Sequence, residues 1–154
     1  MNNIILCAAI GGLAALVISV PAIIIEIVRH GQVKNLPLVV DVKSFFDFRL
    51  SQLATFFIGI FLHVFMGIIF GLVYPVLVNR EWWNFVGQPY EIFSLVIYSL
   101  VVWLVFSLII FPLFGLGFFG RREGKMVWLE ALVSFLLIAI LFNLVAPWFK
   151  PVFF

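Results

Sequence analysis

Four side chains have the chemistry to act inside an otherwise apolar chain: Glu26, His63, Glu130 and Asn143. Each lies within or at the edge of a long hydrophobic run, where an ionisable or strongly polar group is costly enough to be a functional hypothesis by default. His63 is the deepest. An imidazole at that depth can ligate haem iron, relay a proton, or hydrogen-bond across a helix interface. Haem ligation within one chain needs a second axial ligand, and the other histidine, His30, falls in a polar connection. A relay needs titratable neighbours at the same depth, and the sequence offers none. His63 is therefore expected to be a structural, neutral, buried histidine that meets a backbone carbonyl. The expected donor of that carbonyl is the first helix near Val17, whose usual amide partner is lost to Pro21.

Glu26 and Glu130 fall within about two turns of one membrane boundary. There they can pair with Arg29, Arg49, Arg121 or Arg122, and Glu130 also meets the positive end of its own helix. Facing one another in a cavity, the two carboxylates could instead couple proton movement to a substrate. Asn143 precedes Pro147 by four residues and is placed to bond the backbone that the proline disrupts. No Ser-His-Asp, HExxH or carboxylate-dyad pattern stands out, so no catalytic residue is assigned. The single cysteine, Cys7, rules out an internal disulfide and a cysteine-based zinc site within one chain. No metal or cofactor is expected.

The elements that must position these groups follow from composition. The 154 residues are 66% hydrophobic and 10% charged, more apolar surface than a soluble domain of this size can hide. Four apolar runs, roughly 4–28, 53–78, 92–116 and 126–148, are each long enough to cross about 30 Å of hydrocarbon. The fold expected is an all-α integral membrane protein, one domain of four transmembrane helices in a bundle. The first run lacks a basic flank and is too long for a signal peptide, so it is expected to stay as a helix.

Lys and Arg in short connections set orientation. Arg29, Lys34, Lys43 and Arg49 lie in the first connection and Arg121, Arg122 and Lys125 in the third, against Arg80 and Lys150 on the other side. Seven against two places loops 29–50 and 115–126 in the cytoplasm and both termini outside. The net charge of +2 is thus a topology signal, and no nucleic-acid surface is present.

Between the spans, Leu38, Val39, Val42, Phe45 and Phe46 recur at helical spacing, with Asp41, Ser44 and Asp47 opposite. That pattern predicts an amphipathic interfacial segment before the second span. On the outer side, Trp82, Trp83 and Tyr90 are expected to anchor at the headgroup level.

In lipid, small residues that let backbones approach mark helix contact faces. The second span carries such a row in Gly59, His63, Gly67 and Gly71, and the first carries another in Cys7, Gly11, Ala15 and Ser19. The two rows are natural partners. Helix 4 repeats a weaker version of the second span's row: Phe70, Leu72, Val73 and Pro75 recur 72 residues on as Phe142, Leu144, Val145 and Pro147. Leu16-Val17-Ile18-Ser19 similarly resembles Leu104-Val105-Phe106-Ser107, 88 residues on. Such matches suit a duplicated helical hairpin whose halves share an axis along the membrane normal.

Two functional classes stay open on this reading. The first is a non-catalytic subunit or assembly partner in the bilayer, joined to a second copy or another membrane protein through small-residue faces. The second is a dimeric transporter or channel that uses the embedded polar groups. They differ in whether those groups converge on one cavity.

Overall fold

The structure, a computed structural model, describes residues 3–29, 44–45, 48–49, 51–83 and 86–149. Helix α1 is Asn3–Arg29, and α2 is Gln52–Asn79. Each contains a proline, Pro21 in α1 and Pro75 in α2, and continues through it. Ser51 starts α2, its hydroxyl accepting the Ala54 N–H at 3.3 Å, which satisfies one of the donors every helix start leaves over. Helix α3 is Ile92–Val105 and runs through a π turn, Phe106–Ile110, into the short α4, Phe111–Leu113. Helix α5 is Val127–Val145 and ends in a 3-10 turn, Ala146–Phe149.

Four stretches of these helices are long and apolar enough to cross a membrane: Ile4–Ile25, Leu53–Asn79, Ile92–Leu113 and Val127–Trp148. The chain is thus a four-span, multi-pass membrane protein. The third span stops three residues before its expected end at Leu116. Gly115 and Gly117 hold φ of +79° and +74°, left-handed values that glycine reaches without steric cost. They turn the chain so that the Leu116 N–H reaches back to the Phe111 carbonyl at 2.9 Å.

The amphipathic segment falls largely outside the described residues. Where it is described it is extended, not helical: Ser44–Phe45 (β1) pairs antiparallel with Phe48–Arg49 (β2), Ser44 opposite Arg49 and Phe45 opposite Phe48. Phenylalanine favours strands, and that preference outweighs the helical spacing over so short a stretch.

The bundle closes on two hairpins. Helices α1 and α2 pack together more extensively than any other pair, α3 packs on α5, and α1 also lies along α5. Between α1 and α2 the backbones touch. A methyl group on Gly71 would fall on the Cys7 carbonyl, one on Gly67 on the Gly11 carbonyl, and one on Gly11 on the Gly67 carbonyl. With lipid tails as apolar as the side chains, this close approach supplies the dispersion contacts that hold the pair.

Burial repeats at the two sequence offsets. His63 and Phe135, Phe70 and Phe142, and Tyr74 and Ala146 are all buried, as are Cys7 and Leu95, and Ser19 and Ser107. The two hairpins therefore turn corresponding faces inward, but the seams between them differ. Along one seam α1 meets α5 closely. Along the other, α2 and α3 are bridged by large side chains: the Tyr98 hydroxyl donates to the Phe70 carbonyl at 3.0 Å, and their rings lie 4.6 Å apart. Toward the 114–126 turn this second seam opens.

Candidate functional site

The opening is a cavity of about 310 Å³ between α2, the π turn with α4, and α5. Its shape follows from Pro112. A proline cannot donate to the carbonyl four residues back, and its ring crowds that carbonyl, here that of Leu108. One extra residue in the preceding turn relieves the conflict: the Phe111 N–H bonds the Phe106 carbonyl, five residues back. The widened turn leaves Phe106 and Ile110 on the cavity wall. Such π turns recur where helices build functional sites.

The wall is apolar except at two side chains, His63 and Ser134. Phe65 and Phe114 line the cavity and are also exposed on the outside of the bundle. The space therefore reaches the surface that faces lipid.

His63 sits about 15 Å along α2 from Leu53, at 1.5 Å per residue, and is 8% exposed. Its ring lies near the Ala15 backbone of α1. The expected acceptor lay near Val17, but Val17 is on the lipid face of α1; the small row, and with it Ala15, is what faces α2. Ser19 donates to the Ala15 carbonyl at 3.0 Å. Of the two ring nitrogens, Nε2 has no hydrogen-bond partner among the described residues. A buried polar atom left unpaired is uncommon, and this one is enclosed by its neighbours. The Ser107 hydroxyl is the other such atom among the described residues, but it does not line the cavity.

The remaining polar groups lie elsewhere. Asn143 donates to the Tyr90 carbonyl at 2.9 Å, tying α5 to the 80–91 connection and not to the backbone around Pro147. Glu130 is half-buried in the first turn of α5. Glu26 belongs to α1, and its side chain is outside the described residues, as is His30. Of the small-row residues, Gly59 lines the cavity, while Gly11, Ala15, Ser19, Gly67 and Gly71 are buried. His63, Glu130 and Asn143 do not share one cavity. No group of three or more His, Cys, Asp or Glu able to hold a metal ion occurs among the described residues.

The end of the bundle at the 80–91 connection holds a polar cluster that sequence reasoning missed. Trp82 is exposed as a headgroup anchor would be, but Trp83 is buried. Its indole N–H donates to the Ser94 hydroxyl at 3.0 Å. The Ser94 and Tyr74 hydroxyls are hydrogen-bonded at 2.8 Å, and the Tyr90 N–H donates to that same Tyr74 oxygen at 3.0 Å. Burial raises the Tyr90 phenol above its ordinary value, so it stays protonated. Adjacent tryptophans look alike in a sequence; only the hydroxyls of Tyr74 and Ser94, on two different helices, decide which one turns inward. Comparison with protein-family models, with curated proteins and with solved structures finds no match for this chain.

Proposed function

We propose that the protein is a non-catalytic component of the membrane that works by binding, holding a small apolar molecule between its second, third and fourth spans. The observation that carries this reading is an apolar cavity of about 310 Å³, walled by Phe65, Phe106, Phe111, Phe114 and Phe135, that reaches the lipid-facing surface. Gly11, Gly67 and Gly71, the close-approach residues of the rows, are taken up within the chain, α1 against α2. A transport path through the embedded polar groups has less support, since His63, Glu130 and Asn143 lie apart. Naphthalene, two fused apolar rings, is a suitable probe. In lipid nanodiscs it should raise the melting temperature to a plateau, because a ligand at about a hundred times its Kd stabilises by about 2.7 kcal/mol. Leu62→Trp and Ile69→Trp, at half-buried positions on the wall, should fill the space and remove the shift. An equal shift in both variants would mean that the probe acts through the lipid.

In this reading both termini face outward, and the connections after α1 and after α4 face the cytoplasm. Support comes from the seven-to-two basic asymmetry and from the exposure of Arg121, Arg122 and Lys125 at one end of the bundle. Single cysteines in a Cys7→Ser background report it directly. A cysteine at Gln88 should react with an impermeant maleimide added to intact cells, and one at Lys125 only after lysis. The reverse pattern would invert the topology.

A further inference from the structure

The cavity is elongated along the bundle, and a cation is held at one end of it. On α2 its lining runs from Gly59 to Ile69 and on α5 from Ala131 to Ile138, about 15 Å and about 10 Å at the helical rise. A space of that shape suits a chain parallel to the helices better than a compact body. Its wall is apolar apart from His63 and Ser134, and Phe65 and Phe114 open it sideways to lipid. An acyl chain can therefore enter from the bilayer. The lip is the 114–126 turn, which supplies Phe114 and Leu116 to the wall. That turn falls between the third span, ending at Leu113, and the fourth, starting at Val127, which puts it at the level of lipid headgroups. Arg122 is fastened there twice. Its backbone N–H donates to the Leu116 carbonyl at 3.1 Å, and its guanidinium donates to the Gly115 carbonyl at 3.2 Å, between the two wall residues. Its stem lies against Gly117, with Cγ 3.1 Å from where a methyl group on that glycine would sit. The guanidinium has more donors than that one bond uses, and its planar fork matches a phosphate. Beside it Arg121 and Lys125 are also exposed, whereas Glu123 and Glu130 are half-buried, so the exposed charge of residues 114–130 is positive.

We infer that the cavity takes one acyl chain of an anionic phospholipid whose phosphate is bound by Arg122; the inference rests on the cavity being the binding site proposed above and names its occupant. In the topology proposed above this turn meets the cytoplasmic leaflet, whose anionic lipids attract basic residues. The test uses the full chain in dodecyl maltoside, with dioleoylphosphatidylglycerol, dioleoylphosphatidylcholine and glycerophosphate as probes. The two lipids share their chains and differ in net charge; glycerophosphate keeps the phosphate without a chain. Phosphatidylglycerol should raise the melting temperature to a plateau at about a tenth of the concentration that phosphatidylcholine needs, the order expected when an anionic lipid meets several basic residues at the membrane surface. Glycerophosphate should give no shift. Arg122→Gln should lose most of the preference between the lipids, and Leu62→Trp, with the space filled, should lose the shift from both. Where Leu62→Trp fails to fold, competition in the unsubstituted protein answers instead: the shift given by naphthalene should shrink as phosphatidylglycerol is added. A naphthalene shift that phosphatidylglycerol leaves intact would overturn the lipid inference while leaving the cavity a binding site. No shift from naphthalene or from either lipid would overturn both. Equal action of the two lipids, or a preference unchanged in Arg122→Gln, would remove the anionic headgroup. A preference surviving in Leu62→Trp would put the lipid on the basic surface and not in the cavity. A shift from glycerophosphate alone would mark a free-phosphate site and defeat the inference.

Discussion

Gly71→Ala should lower the melting temperature of the detergent-solubilised protein well beyond what Gly12→Ala does, although each adds one methyl to the same seam. The difference lies in what the methyl meets. At Gly71 it lands on the Cys7 carbonyl, and at Gly67 on the Gly11 carbonyl with the Ala15 methyl 2.5 Å away. Those are backbone atoms or groups fixed to it, so the helices must separate along the row. At Gly12 the nearest atom is Cγ1 of Ile68, 2.7 Å away. Ile68 is exposed toward lipid and can rotate aside. Forcing extra volume into a packed contact typically costs about 1–3 kcal/mol, occasionally more. In a chain of this size each kcal/mol moves the melting point by about 2–4 °C. Gly12→Ala starts with an advantage of about 0.5–1 kcal/mol from helix propensity, which offsets the rotation of Ile68. Equal melting points for the two variants would mean that α1 and α2 do not approach as closely as the carbonyl contacts require.

That seam is the part of the molecule most legible in the sequence. In lipid, a row of Gly, Ala and Ser at every fourth position has one common use, the close approach of another helix. Gly11 and Gly67 need no tertiary information to be set aside from the Leu, Ile and Phe around them. The spans are legible for the same reason, since length and hydropathy suffice. His63 stands out as the one ionisable group near mid-span, but its environment is not written in α2. Which part of α1 it lies against depends on the rotation of α1, set by the small row, so its neighbour is Ala15 and not the backbone that Pro21 disturbs. That its ring borders a cavity depends on the π turn, α4 and α5 together. The π turn is a conflict between Pro112 and the turn before it, resolved one way among several, and a proline alone announces only that a conflict exists. Asn143 is hidden for a simpler reason. Its partner is a backbone carbonyl in the connection before the third span, and carbonyls have no sequence signature.

The polar cluster at the 80–91 end gives the other large effect: Ser94→Ala should loosen that connection, while Ser99→Ala, one turn further into α3, should be nearly silent. Both serines are buried in α3. The Ser99 hydroxyl donates at 2.8 Å to the Val96 carbonyl of its own helix, and removing it returns that carbonyl to its ordinary helical bonding. The Ser94 hydroxyl instead joins three parts of the chain, accepting from the Trp83 indole and pairing with the Tyr74 hydroxyl of α2. Its loss breaks two bonds at once where little water can replace them, at about 1–3 kcal/mol for a buried polar group that loses its partner. Interhelical bonds in membranes average less, about 0.6 kcal/mol in double-mutant cycles, so the lower part of that range is expected. Tyr74→Phe removes the same Ser94–Tyr74 bond and also the acceptor of the Tyr90 N–H. Because the two substitutions share a bond, the double variant should cost less than the sum of the singles, a coupling of the kind seen between residues in contact. Hydrogen exchange locates the effect: amides of Val86–Glu91 should exchange faster in Ser94→Ala, while those around Gly67 and Gly71 keep their protection. Strict additivity, or an equal loss of stability in Ser99→Ala, would show that this hydroxyl does not fasten the connection to the bundle.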